Sequence, residues 1–344
     1  MITRREFEVQ GMGGESIHLY RISNQKGEYV ELLDYGATIY SICVADREGK
    51  IDDIVLGAPE GSDLKQCKVM GSIIGRCANR IAHGRFEADG KIHQLEQNEN
   101  GNFLHGASGN YARKMFSASV CEETNSVTFS LKDIGEGGFD CAVQVQVSYS
   151  FEDDSILTMT TCMVPEGTTV LNPTNHAYFN LGVSDVRDLR LTLRAQERVH
   201  RDARGLPDGG RIAVEGTPAD FTQGRVIREA METDSTRYFT SAQPRYDEFY
   251  IQESNSEQLA AELHCPRNGR IMQIVTDMPS MVLFVSPRKQ TPGKDGKNYE
   301  GYCAVCLEPG FVPNAVNCPE YDSPLFRKGE ELNTVTKYIF KTDR

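Results

Sequence analysis

The sequence has no long run of apolar residues and no excess of positive charge. No segment approaches the roughly 20 apolar residues of a membrane-spanning helix, and the N-terminal residues lack the apolar stretch of about 7–15 residues that marks a signal peptide. Asp and Glu number 49 against 37 Lys and Arg, which gives a net charge of −12. Such a chain repels nucleic acid and anionic membrane surfaces. We therefore expect a cytoplasmic protein that binds neither.

Several motifs of enzymatic catalysis are absent as well. The chain contains no GxSxG nucleophile elbow, no HExxH zinc helix and no phosphate-binding loop, and residues 11–16 give only part of a dinucleotide-binding fingerprint. The 10 cysteines are scattered, and Cys303 and Cys306 form a CxxC with no second CxxC to complete a zinc site. The flanking residues indicate a strand, which would direct these two thiols to opposite faces. We therefore expect no metal, no cofactor and no disulfide.

Period-two alternation of apolar and polar residues is the commonest pattern in the chain. It is clearest at 142–151, where Val143, Val145 and Val147 alternate with polar residues, as in a half-buried antiparallel strand. Further β-rich stretches lie at 126–131, 155–164, 189–195, 270–277 and 280–286. These patterns predict an all-β fold.

Helical periodicity is weak, and its best candidate is a short stretch at 225–233. The chain shows no strand-then-helix rhythm, no fixed-length repeat and no Pro- or Ser-rich linker. Polar, glycine-containing segments at 201–211 and 290–301 are typical of long surface loops that frame a cleft. The sequence therefore predicts one domain, residues 1–344, in which helices are incidental.

Residues 172–181, NPTNHAYFNL, combine strand alternation with several polar side chains. In a strand, Ala177, Phe179 and Leu181 would share one face. The opposite face would carry four hydrogen-bonding side chains: Thr174, His176, Tyr178 and Asn180. A strand whose outer face contacts solvent would explain any one of these side chains. Four of them on one face are suited to binding a polyhydroxylated ligand.

A Gly-bounded segment at 75–86 concentrates cationic and amide side chains in an otherwise acidic protein. It contains Arg76, Asn79 and Arg80. A forked guanidinium could bind the ring and exocyclic oxygens of a sugar there. The same arginines could instead be solvated groups that hold a loop by hydrogen bonds to the backbone, and the segment alone does not decide between the two.

Three further residues belong to possible sugar or proton-transfer sites. His105 directly precedes a glycine, and Asp247 lies among aromatic residues, where carboxylates are common in carbohydrate sites. Glu308 ends an apolar strand, and Pro309 and Gly310 should break that strand immediately after it. A carboxylate in this position would stand at the rim of a cleft, where it could act as a general base or could simply precede a turn.

Taken together, these segments resemble the galactose mutarotase (aldose 1-epimerase) family over nearly the whole chain. The most specific pieces occur in family order: ANRI at 78–81, FLHG at 103–106, NPTNHAYFNL at 172–181, the Asp247 segment, and Glu308 followed by AVN at 315–317. The resemblance implies a β-supersandwich of mostly antiparallel strands. It also implies His176 as general acid and Glu308 as general base. The implied sugar-binding residues are Asn79, Arg80, His105, Tyr178 and Asp247.

The implied reaction interconverts the α and β anomers of a free aldose. Protonation of the ring oxygen, with loss of the anomeric hydroxyl proton, opens the ring so that it can reclose on the other face. A His with an ordinary pKa of about 6.5 and an ionised Glu can do this without metal, cofactor or covalent nucleophile. Two alternatives stay open: a hexose-phosphate epimerase, which would need a basic clamp beyond Arg80, and a non-catalytic sugar-binding protein. We expect the protein to be a monomer or a homodimer, and each of these functions is compatible with both states.

The chain departs from the family pattern beside the base. Residues 309–312 stand where the family often has Thr-Gln and an aromatic residue, and an amide that binds sugar in some members falls near Val282 here. Replacing an amide by Val removes a donor and an acceptor and leaves an apolar wall. We therefore expect a substrate range that is broad or shifted away from plain galactose.

Overall fold

The computed structural model describes residues 1–11, 14–64, 70–202, 204–233, 246–252, 258–285 and 288–343, and most of the regular structure in them is β-strand. In chain order the strands are β1 (Ile2–Phe7), β2 (Ile17–Ser23), β3 (Tyr29–Leu33), β4 (Thr38–Ala45), β5 (Ile51–Asp53), β6 (Ile73–Ile74), β7 (Arg80–Ile81), β8 (Arg85–Ala88), β9 (Lys91–Gln94), β10 (Phe103–Leu104), β11 (Ser117–Cys121), β12 (Ser126–Asp133), β13 (Val143–Phe151), β14 (Ile156–Pro165), β15 (Thr169–Val170), β16 (Thr174–Asn175), β17 (Arg190–Leu193), β18 (Glu197–Arg201), β19 (Pro207–Ala213), β20 (Arg225–Val226), β21 (Tyr246–Ile251), β22 (Leu259–His264), β23 (Arg270–Thr276), β24 (Ser280–Val285), β25 (Arg288–Pro292), β26 (Asn298–Gly301), β27 (Val305–Gly310), β28 (Leu325–Phe326) and β29 (Leu332–Thr342).

Helices are few and short, as the weak helical periodicity predicts. In the described part of the chain the only α-helix, α1, spans Ile227–Thr233 and confirms the predicted stretch. Single 3-10 turns occur at Ala82–Gly84, Ala107–Gly109, Tyr111–Arg113, Glu136–Gly138, Val186–Asp188, Lys294–Gly296 and Ala315–Asn317. No helix within the described ranges is both long enough and apolar enough to cross a bilayer.

Three antiparallel sheets contain most of the strands. The largest has nine strands in the order β11-β12-β13-β14-β29-β23-β22-β17-β20. An N-terminal sheet joins β1 to β5 in sequence order, and a second five-stranded sheet has the order β19-β18-β21-β24-β27. We call this last one the site sheet. Two-stranded pairs complete the fold, among them β7 with β10 and β25 with β26.

The alternating stretches of the sequence become strands with one buried face. In β13 the apolar positions Val143, Val145 and Val147 are buried while the residues between them reach solvent or are half-exposed. One apolar cluster contains residues of all three large sheets and extends from Tyr20 to Phe340. The strands expected from period-two alternation are therefore confirmed, and so is the all-β class.

The site sheet has one face in this main cluster and a second face turned away from it. Leu283 and Leu307 pair across β24 and β27 and pack in the main cluster. Their neighbours Val282 and Glu308 also pair with each other, and side chains alternate along a strand, so these two share the second face. Val282 packs there in a smaller apolar cluster with Phe249.

Two features of the loops and of β27 differ from the predictions. The segments at 201–211 and 290–301 are not plain loops, because β19 begins in the first and the hairpin β25–β26 occupies the second. Nor do Pro309 and Gly310 break the strand after Glu308, since β27 continues through both. Proline lacks a backbone N–H but is tolerated on an edge strand, and β27 is the edge of its sheet.

The two thiols of the CxxC are also arranged differently from the prediction. Cys303 precedes β27, which begins only at Val305, so the strand geometry that would separate the thiols applies to Cys306 alone. Both cysteines pack in one apolar cluster with Tyr178 and Tyr299. The expectation of opposite faces is therefore wrong.

Candidate active site

The segment 172–181 keeps its predicted alternation without forming the continuous strand expected of it. Only Thr174–Asn175 is a strand, β16, and beyond it the chain is tied by single bridges at Phe179. Ala177, Phe179 and Leu181 nevertheless pack in the main cluster. His176 and Tyr178 lie on the other side, with ring centroids 5.0 Å apart and planes 16° from parallel.

The backbone of His176 is held between neighbouring segments. Its N–H donates to Ser72 O at 3.0 Å, and its carbonyl accepts from the N–H of Gly71 at 2.9 Å. Gly71 has φ +78°, and a side chain there would overlap the carbonyl oxygen of Ile39. Only glycine fits this close approach, so the position of the imidazole depends on a residue without a side chain.

The imidazole of His176 lies beside the carboxylate of Glu308. Nε2 and Oε1 are 3.4 Å apart, and the two residues are 5% and 4% exposed. A backbone bridge brings the segments together, because Phe179 and Val305 exchange N–H···O bonds of 2.9 Å in both directions. The site thus contains a buried imidazole and a buried carboxylate in direct proximity.

His105 approaches the same pair from a second loop. Its Nδ1 accepts the backbone N–H of Asn79 at 3.1 Å, which places the proton of the neutral ring on Nε2. Its ring packs edge-on against His176 with centroids 5.6 Å apart. Burial, together with the nearby Arg80 cation, lowers the pKa of His105 to about 4. Near neutral pH this ring is therefore an uncharged hydrogen-bond donor.

Arg80 is oriented by a carboxylate that the sequence analysis missed. Its Nε donates to Glu99 Oε2 at 2.7 Å and its terminal nitrogen donates to Oε1 at 2.5 Å. This fork holds the guanidinium in a fixed plane and balances its charge. The pairing of β7 with β10 places Arg80 opposite Leu104, next to His105. Glu99 precedes β10 by only a few residues, and this position in the sequence was the available signal that it could contact Arg80.

Arg76 does not belong to the sugar site, although it was one of its candidates. The side chain is 1% exposed, and its Nε donates to Asp133 Oδ2 at 2.8 Å. The guanidinium also lies 4.4 Å from the ring centroid of Phe139. Asp133 accepts a second bond, 2.7 Å long, from the hydroxyl of Tyr111. Arg76 is therefore a structural residue of the interior.

Asp247 can be located only by its place in the sheet, because its side chain lies outside the described residues. On β21 it pairs with Phe284 of β24, which in turn pairs with Cys306 of β27. The register thus puts position 247 in the same cross-strand row as Cys306. The neighbouring Glu248 is fully buried and forms an ion pair with Arg198 at 2.9 Å. This ion pair compensates the buried charge of Glu248, so no bound ligand is needed to explain the carboxylate.

Cys306 is a further group at the site that the sequence analysis did not predict. It stands two residues before Glu308 on β27, and residues at this spacing share a face. One ligand atom each from His176, Cys306 and Glu308 lies within 4.8 Å of the others, and all three residues are buried. The spacing of two residues between Cys306 and Glu308 in a predicted strand would have indicated this proximity, but the sequence analysis considered Cys306 only together with Cys303.

Comparison with known proteins gives one consistent result. A family model for aldose 1-epimerases matches residues 18–339. The galactose mutarotase of Rattus norvegicus is 30% identical over 98% of both chains, and the aldose 1-epimerase of Escherichia coli is 28% identical over 95% of this chain and 96% of its own. A solved aldose epimerase homologue from C. elegans has a TM-score of 0.86 at 25% identity, covering 95% of this chain and 99% of its own. A galactose 1-epimerase structure from Lactobacillus acidophilus reaches 0.84 at 23%, covering 100% and 99%.

Proposed function

The chain belongs to the aldose 1-epimerase family, and from this membership we propose that it interconverts the α and β anomers of a free aldose at His176 and Glu308. The observation that supports this assignment of the chemistry is the 3.4 Å separation between Nε2 and Oε1 of the buried pair. The ring oxygen and the anomeric oxygen of an aldose are bonded to the same carbon. A donor for one and an acceptor for the other must therefore be close neighbours, as these two groups are.

In the proposed reaction His176 is the general acid and Glu308 the general base. His176 gives its proton to the ring oxygen while Glu308 takes the proton of the anomeric hydroxyl, and the bond between the anomeric carbon and the ring oxygen breaks to give an open-chain aldehyde. Rotation of the aldehyde presents its other face. On closure His176 recovers its proton and Glu308 returns the other, so neither protons nor electrons are lost. Each group can contribute roughly 10²–10⁴-fold.

We propose that five residues hold the sugar hydroxyls around this pair: Asn79, Arg80, His105, Tyr178 and Asp247. The backbone bond between Asn79 and His105 fixes the orientation of the imidazole and leaves its Nε2–H for a sugar oxygen. The ring of Tyr178 stacks on that of His176, and its hydroxyl is the group proposed to bind sugar. Asp247 belongs to this set because its position in the sheet register lies in the row of Cys306.

The two alternative functions receive less support. The guanidinium of Arg80 is already engaged by both oxygens of Glu99, so it is a poor phosphate clamp, and a free sugar is the better substrate. A purely binding protein would not require the buried His176–Glu308 pair. The net charge of −12 supports the further proposal that the enzyme has no nucleic-acid or anionic-membrane partner. We also propose that it works in the cytoplasm, as a monomer or homodimer.

Polarimetry of freshly dissolved α-glucose and α-galactose tests the proposal. The wild-type protein is expected to accelerate the change in rotation above the uncatalysed rate. Glu308→Gln and His176→Asn should each lower the rate constant by at least ~10²-fold, because each replaces a proton carrier by an amide of similar shape. Circular dichroism checks that both variants are folded.

His264→Asn is the matched control. His264 lies on β22 of the nine-stranded sheet and pairs with Asp343, so its replacement should leave the rate unchanged. Wild-type turnover in either Glu308→Gln or His176→Asn contradicts the assignment of acid and base. Absence of any acceleration by the wild-type protein with both sugars contradicts the proposed activity itself.

A further inference from the structure

A thiol, an imidazole and a carboxylate meet in the interior of the site. They belong to Cys306, His176 and Glu308, whose ligand atoms lie within 4.8 Å of one another. Within the described residues this is the one group of three or more His, Cys, Asp or Glu side chains so closely placed. The residues are 0%, 5% and 4% exposed. The proposed reaction uses the imidazole and the carboxylate and gives the thiol no role.

The chemistry of the three groups fits a thiophilic divalent cation. Thiolate sulfur, imidazole nitrogen and carboxylate oxygen are the ligands of zinc sites, whereas Mg²⁺ and Ca²⁺ prefer oxygen alone. Three protein ligands with a fourth position open is also a common zinc arrangement. Cd²⁺ is chemically similar to Zn²⁺ and favours sulfur still more.

The distances fit as well as the ligand types do. Two nitrogen or oxygen ligands of one tetrahedral zinc ion lie about 3.3 Å apart, close to the 3.4 Å between His176 Nε2 and Glu308 Oε1. If both sulfur separations were at the 4.8 Å limit, an ion equidistant from the three atoms would lie roughly 2.6 Å from each, against bonds of about 2.0–2.3 Å. Side-chain shifts of about 0.5 Å would close this difference.

We propose that Cys306, His176 and Glu308 form an inhibitory binding site for Zn²⁺ or Cd²⁺. On binding, the thiol of Cys306 releases its proton to solvent and the thiolate, the neutral imidazole and the carboxylate each donate an electron pair to the ion. No electron is transferred and no covalent bond between protein atoms changes. The bound ion occupies both the acid and the base, so sugar turnover stops until the ion leaves. The inhibitory part of this proposal rests on the proposed function, and the binding part does not.

Cadmium titration followed by ultraviolet difference spectroscopy tests the binding part, because a cadmium–thiolate bond has a charge-transfer absorption of its own. The metal-free wild-type protein is expected to bind one Cd²⁺ that Cys306→Ser does not bind. Cys303→Ser is the matched control, since it removes a buried thiol of the same apolar cluster and should bind as the wild type does. The remaining cysteines are present in all three proteins, so any Cd²⁺ that they bind contributes equally to each spectrum.

Glu308→Gln and His176→Asn provide a second test that keeps the thiol and does not depend on the folding of Cys306→Ser. Each should raise the dissociation constant for Cd²⁺ at least ~10-fold, because each removes one of three ligands. Equal Cd²⁺ binding by the wild type and Cys306→Ser, or by the wild type and both of these variants, would overturn the site.

Inhibition is measured by polarimetry at buffered free Zn²⁺. Micromolar Zn²⁺ should inhibit the wild type, an excess of EDTA should restore the rate, and EDTA alone should leave the rate of the metal-free enzyme unchanged. In Cys306→Ser the half-inhibitory Zn²⁺ concentration, relative to that variant's own uninhibited rate, should rise at least ~10-fold, and in Cys303→Ser less than ~2-fold. Undiminished turnover by the Zn²⁺-saturated wild type would overturn the inhibitory role. A metal-free wild type that is inactive but binds Cd²⁺ through Cys306 would refute the proposed function and support the site.

Discussion

His105 illustrates how a single backbone hydrogen bond can define the chemistry of a side chain. The N–H of Asn79 occupies Nδ1, so the ring can stay neutral only with its proton on Nε2. The pKa of about 4 keeps it in that form over the whole physiological range. A residue with an ordinary His pKa would instead change charge in the middle of that range. The neutral state of His105 fits the role proposed for it as a hydrogen-bond donor, whereas the role proposed for His176 is to carry a proton.

His105→Asn tests the neutral state of this histidine. In the folded protein the pKa of His105 lies below its ordinary value of about 6.5, so between that value and pH 4 the unfolded chain takes up a proton that the native state does not. The free energy of unfolding therefore falls as the pH falls through this window. Thermal unfolding followed from pH 7 to pH 4 should show a smaller loss of Tm in His105→Asn than in the wild type, since Asn does not titrate.

The same variant should also bind sugar less well. Asn can still accept the N–H of Asn79 but does not extend to the position of Nε2–H, so kcat/KM at pH 7 is expected to fall about 10-fold or more. Identical pH profiles of Tm in the two proteins would show that His105 titrates normally in the native state. Unchanged kcat/KM would remove it from the set of sugar-binding residues.

Val282 is expected to affect substrate choice because it lies beside Glu308 on the same face of the site sheet. It pairs directly with Glu308 and is 8% exposed, so it is an apolar wall beside the carboxylate. Loss of an amide at such a position costs a buried hydroxyl about 1–3 kcal/mol. We expect kcat/KM for galactose to exceed that for glucose and for a deoxy sugar by less than ~10²-fold, and Val282→Gln to widen the difference. A stronger preference in the wild type would contradict a permissive site.

Among the elements, the hairpin β25–β26 shows how a polar segment can be fixed in place. The turn at its tip buries Lys294, whose Nζ donates to Asp53 Oδ2 and to Tyr40 O at 2.5 and 2.6 Å. From the second strand, the hydroxyl of Tyr299 accepts the N–H of Gly57 at 3.3 Å. The ring of Tyr299 packs in the cluster that contains Tyr178 and Cys306. The hairpin thus joins the N-terminal sheet to the side of the site.

Lys294→Met tests this anchor, with the exposed Lys297→Met of the same turn as its matched control. Removal of the ammonium leaves the partly buried carboxylate of Asp53 without its cation, so we expect the free energy of unfolding to fall by about 1–3 kcal/mol. Removal of an exposed lysine should cost less than about 0.5 kcal/mol. We also expect kcat/KM to fall severalfold in Lys294→Met, because Tyr299 supports Tyr178. Equal denaturant midpoints for the two variants would show that the hairpin is not held by Lys294.

The elements that the sequence predicted well are those whose evidence is local. Strands such as β13 follow from alternation alone, because each neighbour pair faces opposite sides wherever the strand lies in the fold. Pro309 misled the prediction because whether a proline ends a strand depends on whether that strand is an edge, and edges are set by distant pairing. The hairpin at 290–301 was missed because Lys294 and Asp53 compensate each other only after folding.

The sequence supplied candidate site residues but not their arrangement. The segments around His176 and Glu308 can be recognised one by one, but their contact depends on the bridge between Phe179 and Val305, which no local pattern contains. Arg76 and Arg80 look alike in the sequence, and only their partners separate them. One meets a buried aspartate in the interior and the other a glutamate at the site. The sugar-binding role of Arg80 stays a prediction.

At the scale of the whole molecule, one apolar cluster connects the three large sheets. The nine-stranded sheet and the N-terminal sheet contribute to the cluster, and the site sheet adds one face to it. The second face of the site sheet is thereby free to carry Glu308 and Cys306. Large closely packed sheets are rigid, and rigidity would favour the proton transfer proposed for His176 and Glu308. The single domain of residues 1–344 stays a prediction.

The nine-stranded sheet can be completed only after β29 has been synthesised. This strand pairs with β14 on one side and with β23 on the other, and every other described strand precedes it in the chain. During translation β14 and β23 emerge with unpaired edges, which can pair with strands of neighbouring nascent chains. Aggregation would therefore compete with folding until β29 pairs with both edges. A ribosome stalled before β29 carries a chain that includes His176 and Glu308 but lacks the strand that joins β14 to β23.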